Sequence, residues 1–146
     1  MTKNRKLIEA IKNCRNMWKW LKENPTKDKN DWPELSKFNN YILNHCFACD
    51  YAFSITNDSN TMCKECFLKD TWKQLDTDNV LDNVNKFMCE CISYSPYHRW
   101  EFVRNLLEKV SIKSNKNLIY KMLLKEKSYY ASEIEAGCNI LLQKYK

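Results

Sequence analysis

KLIEAIKNCRNMWKWLKENP, residues 6–25, decides the fold class. Leu7, Ile11, Cys14, Trp18 and Leu21 recur at spacings of 4, 3, 4 and 3. That is the period of an α-helix with one apolar seam. Arg5, Lys12, Arg15, Lys19 and Lys22 fall on a neighbouring stripe of the same helix. The spacing predicts a helix over about residues 4–23. It stops at Asn24-Pro25, because the residue before a proline is pushed out of the α region.

The rest of the chain extends the same reading. The polar link Thr26–Asp31 leads to Trp32-Pro33, and residues 34–43 are expected to form a short helix. Residues 44–66 are expected to be irregular loops and short turns, and residues 67–88 helical. Ser95-Pro96 is a helix start, with serine as cap and proline at the first position. Trp100, Val103, Leu107 and Val110 then share a face. Ser114 or Asn115 is expected to cap a last helix of about 30 residues, in which Ile134, Cys138, Leu141 and Tyr145 repeat the helical spacing. The first and last helices are expected to pack as neighbours, with Trp18, Trp32, Trp72 and Trp100 in the core and Trp20, Tyr129 and Tyr130 nearer the surface. One glycine and three prolines in 146 residues leave too few tight turns for a sandwich or barrel. The expected fold is mainly α: a single helical domain over 1–146, with an N-terminal helix at 4–23, a cysteine-rich metal-binding segment at 44–91 resembling a zinc knuckle, and C-terminal helices at 95–145.

That middle segment carries the chemistry. Cys46-x-x-Cys49 and Cys63-x-x-Cys66 are two pairs separated by thirteen residues. Each two-residue gap lets one tight turn present both sulfurs to one ion, and four thiolates satisfy tetrahedral zinc. Zinc held by Cys46, Cys49, Cys63 and Cys66 is the expected cofactor. Cys89-x-Cys91 makes a third pair, so Cys89, Cys91 or His45 could replace one ligand. A redox Cys-x-x-Cys is expected at a helix start within a strand–helix unit, and no such unit is legible. Cys14 and Cys138 lie on apolar helix faces and read as buried small hydrophobes.

No catalytic constellation is legible. There is no glycine-rich phosphate loop, no His-Glu-x-x-His and no nucleophile elbow. His98 and Glu101, at i and i+3, read as a solvated first-turn pair. The start of the chain has a basic tip without an apolar run or small-residue cleavage site, so it does not read as a secretory signal. No apolar run approaches the ~20 residues that cross a bilayer. The expected setting is the cytoplasm, where thiols stay reduced, and no membrane partner is expected.

Charge is divided by segment. Residues 1–45 hold 10 Lys and Arg against 5 Asp and Glu, residues 46–97 hold 4 against 8, and residues 98–146 hold 10 against 5. The flanks are each net +5 and the middle net −4. Four thiolates on one Zn²⁺ would add about −2 to the middle. A polyanion should therefore meet the flanks. The expected partner surface is Arg5, Lys12, Arg15, Lys19 and Lys22. It suits a macromolecule, with nucleic acid or a small anionic nucleotide signal as alternatives.

One resemblance adds to this. "WKWLKENP", "DWPEL", the two Cys-x-x-Cys pairs and "SPYHRW", over roughly residues 18–100, resemble a group of small uncharacterised bacteriophage and prophage proteins with the same order of features. This chain has Cys66-Phe67-Leu68 where the group has Cys-Pro-Leu. The resemblance implies a metal-binding phage accessory protein in a bacterial cytoplasm. Its partner would be a host protein or complex, including a component of host defence.

Overall fold

The structure is a computed structural model that describes residues 3–38, 46–57, 66–68, 96–110 and 118–145. Among the described residues, four α-helices follow in order: α1 (Lys3–Glu23), α2 (Phe47–Thr56), α3 (Pro96–Lys109) and α4 (Leu118–Gln143). Two 3-10 turns, Lys29–Asp31 and Pro33–Lys37, lie between α1 and α2. There is no strand among the described residues.

The seam on α1 is buried as its spacing requires. Ile11, Cys14, Trp18 and Leu21 are almost wholly enclosed, and Leu7 is half-buried. Met17 joins them. At about 100° per residue it stands one step to the side of the seam and widens it. α1 packs most extensively on α4, which also packs on α3, while α2 lies against the other edge of α1. The two ends of the chain are therefore neighbours. On α4 the buried face is small: Ala131, Ile134, Gly137 and Cys138. Gly137 is the sole glycine. A mid-helix glycine costs about 1 kcal/mol against alanine, and here it lies on the buried face of the helix.

α1 ends where the proline dictates. Asn24 turns its side-chain amide back to the Trp20 carbonyl at 2.8 Å. Ser128 of α4 donates to the Lys22 carbonyl at 2.7 Å. Both bonds satisfy carbonyls that a helix end leaves without intrahelical partners. The link then tightens into a 3-10 turn. The Asp28 carboxylate accepts from Lys29 N at 2.8 Å, and Asp31 accepts from Asp28 N at 2.9 Å. Of the short helix expected over 34–43, the described part is the 3-10 turn Pro33–Lys37 followed by extended backbone at Phe38, and 39–43 lie outside the described residues.

The middle of the chain departs from expectation. Residues 47–56, expected as loop, form helix α2. Cys46 is its extended N-cap residue, and Asn57 ends it in the left-handed region at φ 53°, its N–H bonding to the Phe53 carbonyl at 2.8 Å. Phe47, Ala48, Cys49, Tyr51 and Ala52 are buried, a broad apolar face uninterrupted by glycine or proline. Asparagine tolerates φ > 0 better than most non-glycine residues, which suits Asn57 to end the helix. Of the helix expected over 67–88, Phe67 and Leu68 form a turn instead, and residues 69–88 lie outside the described residues.

α3 begins at Pro96 and buries Tyr97, Trp100 and Val103, while Leu107 and Val110 are half-buried. α4 begins at Leu118, so the expected caps Ser114 and Asn115 lie outside the described residues. Its apolar series ends at Leu141. The helix stops at Gln143, and Tyr145 is exposed beyond it. Trp18, Trp32 and Trp100 are core residues, and Trp20 is half-buried against them. Residues of α1, α2, α3, α4 and the 66–68 turn share one buried cluster.

Candidate metal centre and its charged surroundings

Five cysteines are described, and all are buried: Cys14, Cys46, Cys49, Cys66 and Cys138. They belong to the same cluster of core side chains. Cys46 at the head of α2 lies close to Cys49 in its first turn. The neighbouring Cys49 thiol and burial push the Cys46 thiol well above its ordinary range, while the nearby Lys29 charge works against them. Cys14 of α1 lies close in the same way to Cys138 of α4, 124 positions away in sequence. The neighbouring Cys138 thiol holds the Cys14 thiol well up, burial adds to it, and the charges Cys46 and Cys66 would carry add further. The reading of Cys14 and Cys138 as buried small side chains is correct for exposure. Their pairing was not legible, because each fits its own apolar seam.

The arrangement has a chemical consequence. The pair at 46 and 49 stands at a helix start, where redox cysteines are found, but a redox thiol is partly exposed and has a depressed pKa. Cys46 is buried and shifted the other way. Such thiols stay protonated at neutral pH unless a cation compensates the thiolate, as a bound divalent metal does. Two adjacent sulfurs on one turn of backbone suit that role. No group of three His, Cys, Asp or Glu donors that could hold a metal ion occurs among the described residues. Cys63, Cys89, Cys91 and His45 lie outside them.

The basic stripe on α1 divides into two parts. Arg5, Lys12 and Lys19 are exposed, while Arg15 and Lys22 are half-buried. Lys22 bonds Glu135 of α4 at 2.7 Å, so it helps tether the helices. Arg15 donates to Asn16 Oδ1 at 3.2 Å. Glu101 accepts from the Tyr97 hydroxyl at 2.9 Å, which gives it a place in the fold beyond a solvated first turn.

The polar link hides two lysines that the sequence presents as solvated. Lys29 is 5% exposed and Lys127 4%. Lys29 Nζ sits 4.3 Å from the Tyr97 ring centre, 5.8 Å from Trp100 and 5.9 Å from Trp18, and donates to the Tyr97 hydroxyl. Lys127 Nζ donates to the carbonyls of Pro25 at 3.0 Å and Lys27 at 2.8 Å, and lies 5.0 Å from the Trp100 ring centre. Arg104 adds a third cation 5.5 Å from that ring, paired with Asp28 at 3.4 Å. A buried ammonium needs such partners, because its desolvation is otherwise prohibitive.

Burial lowers the pKa of Lys127 below its ordinary 10.5, against the opposing charge of Asp28. Between the lowered value and 10.5 the unfolded chain binds more protons at this site than the folded one. This site's contribution to stability therefore rises with pH across that window. Lys127→Met is expected to remove that rise. At neutral pH it should cost about 1–3 kcal/mol, because two carbonyls lose a charged donor. Urea denaturation at two pH values checks both.

No protein-family model, curated protein or solved structure matches the chain. Among the described residues, no helix is long and apolar enough to cross a membrane.

Proposed function

We propose that this protein is a non-enzymatic binding module. Zinc on Cys46, Cys49, Cys63 and Cys66 fixes its middle segment, and the basic stripe of α1 grips the acidic surface of a macromolecule. In the phage setting that the resemblance implies, that macromolecule is a host protein or complex, including a component of host defence. The observation that carries the reading is the solvent-facing side of α1. Arg5, Lys12 and Lys19 recur there every seven residues and are exposed, on a helix whose other faces are held by α4 and α2. The acidic middle makes the attraction one-sided. The nucleotide-sponge alternative gains no support from the aromatic and basic centre. The faces of Trp18, Tyr97 and Trp100 are turned to the protein's own lysines there.

The test is a pull-down from bacterial lysate with wild type and a Lys12→Glu, Arg15→Glu, Lys19→Glu variant, with and without nuclease. The expected result is a nuclease-resistant protein partner held by wild type and lost by the variant, with unchanged zinc and helix content. Nuclease-sensitive retention that falls steeply with salt would transfer the function to nucleic-acid binding. Equal capture by both baits, with activity lost on substituting His98 or Glu101, would overturn the binding module and direct attention to an enzyme at the head of α3.

A further inference from the structure

Helix α4 carries a second apolar line on the side away from the core. Ala131, Ile134 and Cys138 are buried against the rest of the fold, yet Leu118, Met122, Tyr129 and Ile140 are 69, 53, 60 and 60% exposed. With Lys125, Glu133 and Ala136 they make one line, at spacings of 4, 3, 4, 4, 3 and 4. At about 100° per residue, all seven fall within about 40° of a common direction. Lys125 and Ala136 are exposed and Glu133 is half-buried. A helix that is apolar on two sides has a second contact to make.

The order of residues along this line selects its occupant. It is symmetric about Tyr129. Four positions away on either side stand Lys125 and Glu133, seven away Met122 and Ala136, and eleven away Leu118 and Ile140. Laid antiparallel on a copy of itself, with a two-fold axis at Tyr129, the line sets apolar against apolar on the outer rows. Between them lysine meets glutamate, twice by symmetry. A two-fold contact requires such self-complementarity, because the same patch serves both copies. The parallel arrangement sets Lys125 against Lys125 and Glu133 against Glu133, and like charges disfavour it. Neither residue forms a salt bridge among the described residues. Neither has an opposite charge three or four positions away on α4. Arg99 of α3 lies over the ring of Tyr130, beside this line. From Leu118 to Ile140 is 22 steps, about 33 Å at 1.5 Å per residue. One such line against its copy covers on the order of 1,000 Å², below the standard interface of about 1,600 Å². That size fits a concentration-dependent dimer rather than a permanent one. We infer that the outer face of α4 is a homodimer interface, antiparallel and centred on Tyr129. It is separate from the basic stripe of α1 and does not rest on it.

The test is sedimentation equilibrium of the full-length protein, purified without chelator, over a range of concentrations. A monomer–dimer equilibrium is expected, with a dissociation constant on the order of 10–100 μM, in the weak class that small interfaces occupy. Tyr129→Glu places two carboxylates face to face on the axis and should weaken association at least about tenfold. Lys125→Glu and Glu133→Lys should each weaken it about fivefold, because both copies of the pair become like-charged. The double variant with both changes should recover most of the loss, which the antiparallel register allows and the parallel one does not. Circular dichroism checks that each variant keeps its helix content. If Tyr129→Glu lowers it, Met122→Glu is read in its place, with the same loss expected. A monomer at every concentration up to about 500 μM, where such a constant makes dimer the main species, would overturn the inference. So would a dimer untouched by the glutamate on the line, or single charge reversals that the double variant does not rescue.

Discussion

Protein purified without chelator is expected to carry one zinc per chain, and Cys46→Ser, Cys49→Ser, Cys63→Ser or Cys66→Ser to lose it. Binding free energy at a structural zinc is largely folding free energy, on the order of 10 kcal/mol for small zinc-bound units. That exceeds any single side-chain contact in the core. The fall should be uneven across the molecule. α1, α3 and α4 have their own packed seam, while α2 carries two of the four thiols and rests on one edge of α1. Chelation should therefore first expose amides of α2 to hydrogen exchange and only later those of α4. Cys14→Ser is the control. It places a hydroxyl in a wholly buried position, at about 1–3 kcal/mol, but leaves the zinc in place. Elemental analysis finding no metal in freshly folded protein would sink the zinc reading. Zinc retained in Cys63→Ser alone would point to Cys89, Cys91 or His45 as the fourth ligand.

The parts of this fold that depend on local repetition were legible. The seam of α1, its stop at Asn24-Pro25 and the start of α3 at Pro96 each follow from residues close in sequence. The parts that depend on partners far along the chain were not. Lys29 sits in a segment, Thr26–Asp31, with every mark of a solvated link. Its aromatic partner Tyr97 is 68 positions away. Lys127 reads as one of several lysines on α4, and its acceptors at Pro25 and Lys27 are about a hundred positions distant. Helix α2 was missed for another reason. The Cys-x-x-Cys spacing suggested loops about a metal, while Phe47, Ala48, Tyr51 and Ala52 already gave a helical face. A knuckle pair can open a helix as readily as a turn. Of the candidate site, the exposure of Arg5, Lys12 and Lys19 on one stripe was legible. The burial of the thiols, the nearness of Cys14 to Cys138 and the diversion of Lys22 to Glu135 required the fold.

Trp100→Ala is expected to destabilise the protein by more than the 3–5 kcal/mol usual for truncating a large buried aromatic. Trp100 is fully buried, edge-on to Trp18 at 5.0 Å and stacked with Tyr97 at 6.4 Å. The same ring serves Lys29, Arg104 and Lys127 at 5.8, 5.5 and 5.0 Å. A desolvated cation–π contact is worth up to about 2 kcal/mol. Truncation thus leaves a cavity and also takes from the buried Lys127 ammonium the ring it faces, while Lys29 keeps Tyr97 and Trp18. Against a typical total stability of roughly 5–15 kcal/mol, that is enough to prevent folding. Two milder variants separate the causes. Trp100→Phe keeps a π face, and it breaks no hydrogen bond among the described residues, because the indole N–H finds no partner there. Trp100→Leu fills part of the volume but offers no π face. If cation–π contact matters, Phe should exceed Leu at this site by about 1–2 kcal/mol in urea denaturation. The gap should shrink in a Lys127→Met background, since one of the three cations is then gone. Equal stability of the Phe and Leu variants would mean that Trp100 acts by volume alone, and that the two buried lysines are held by their hydrogen bonds to Tyr97 and to the carbonyls of residues 25 and 27.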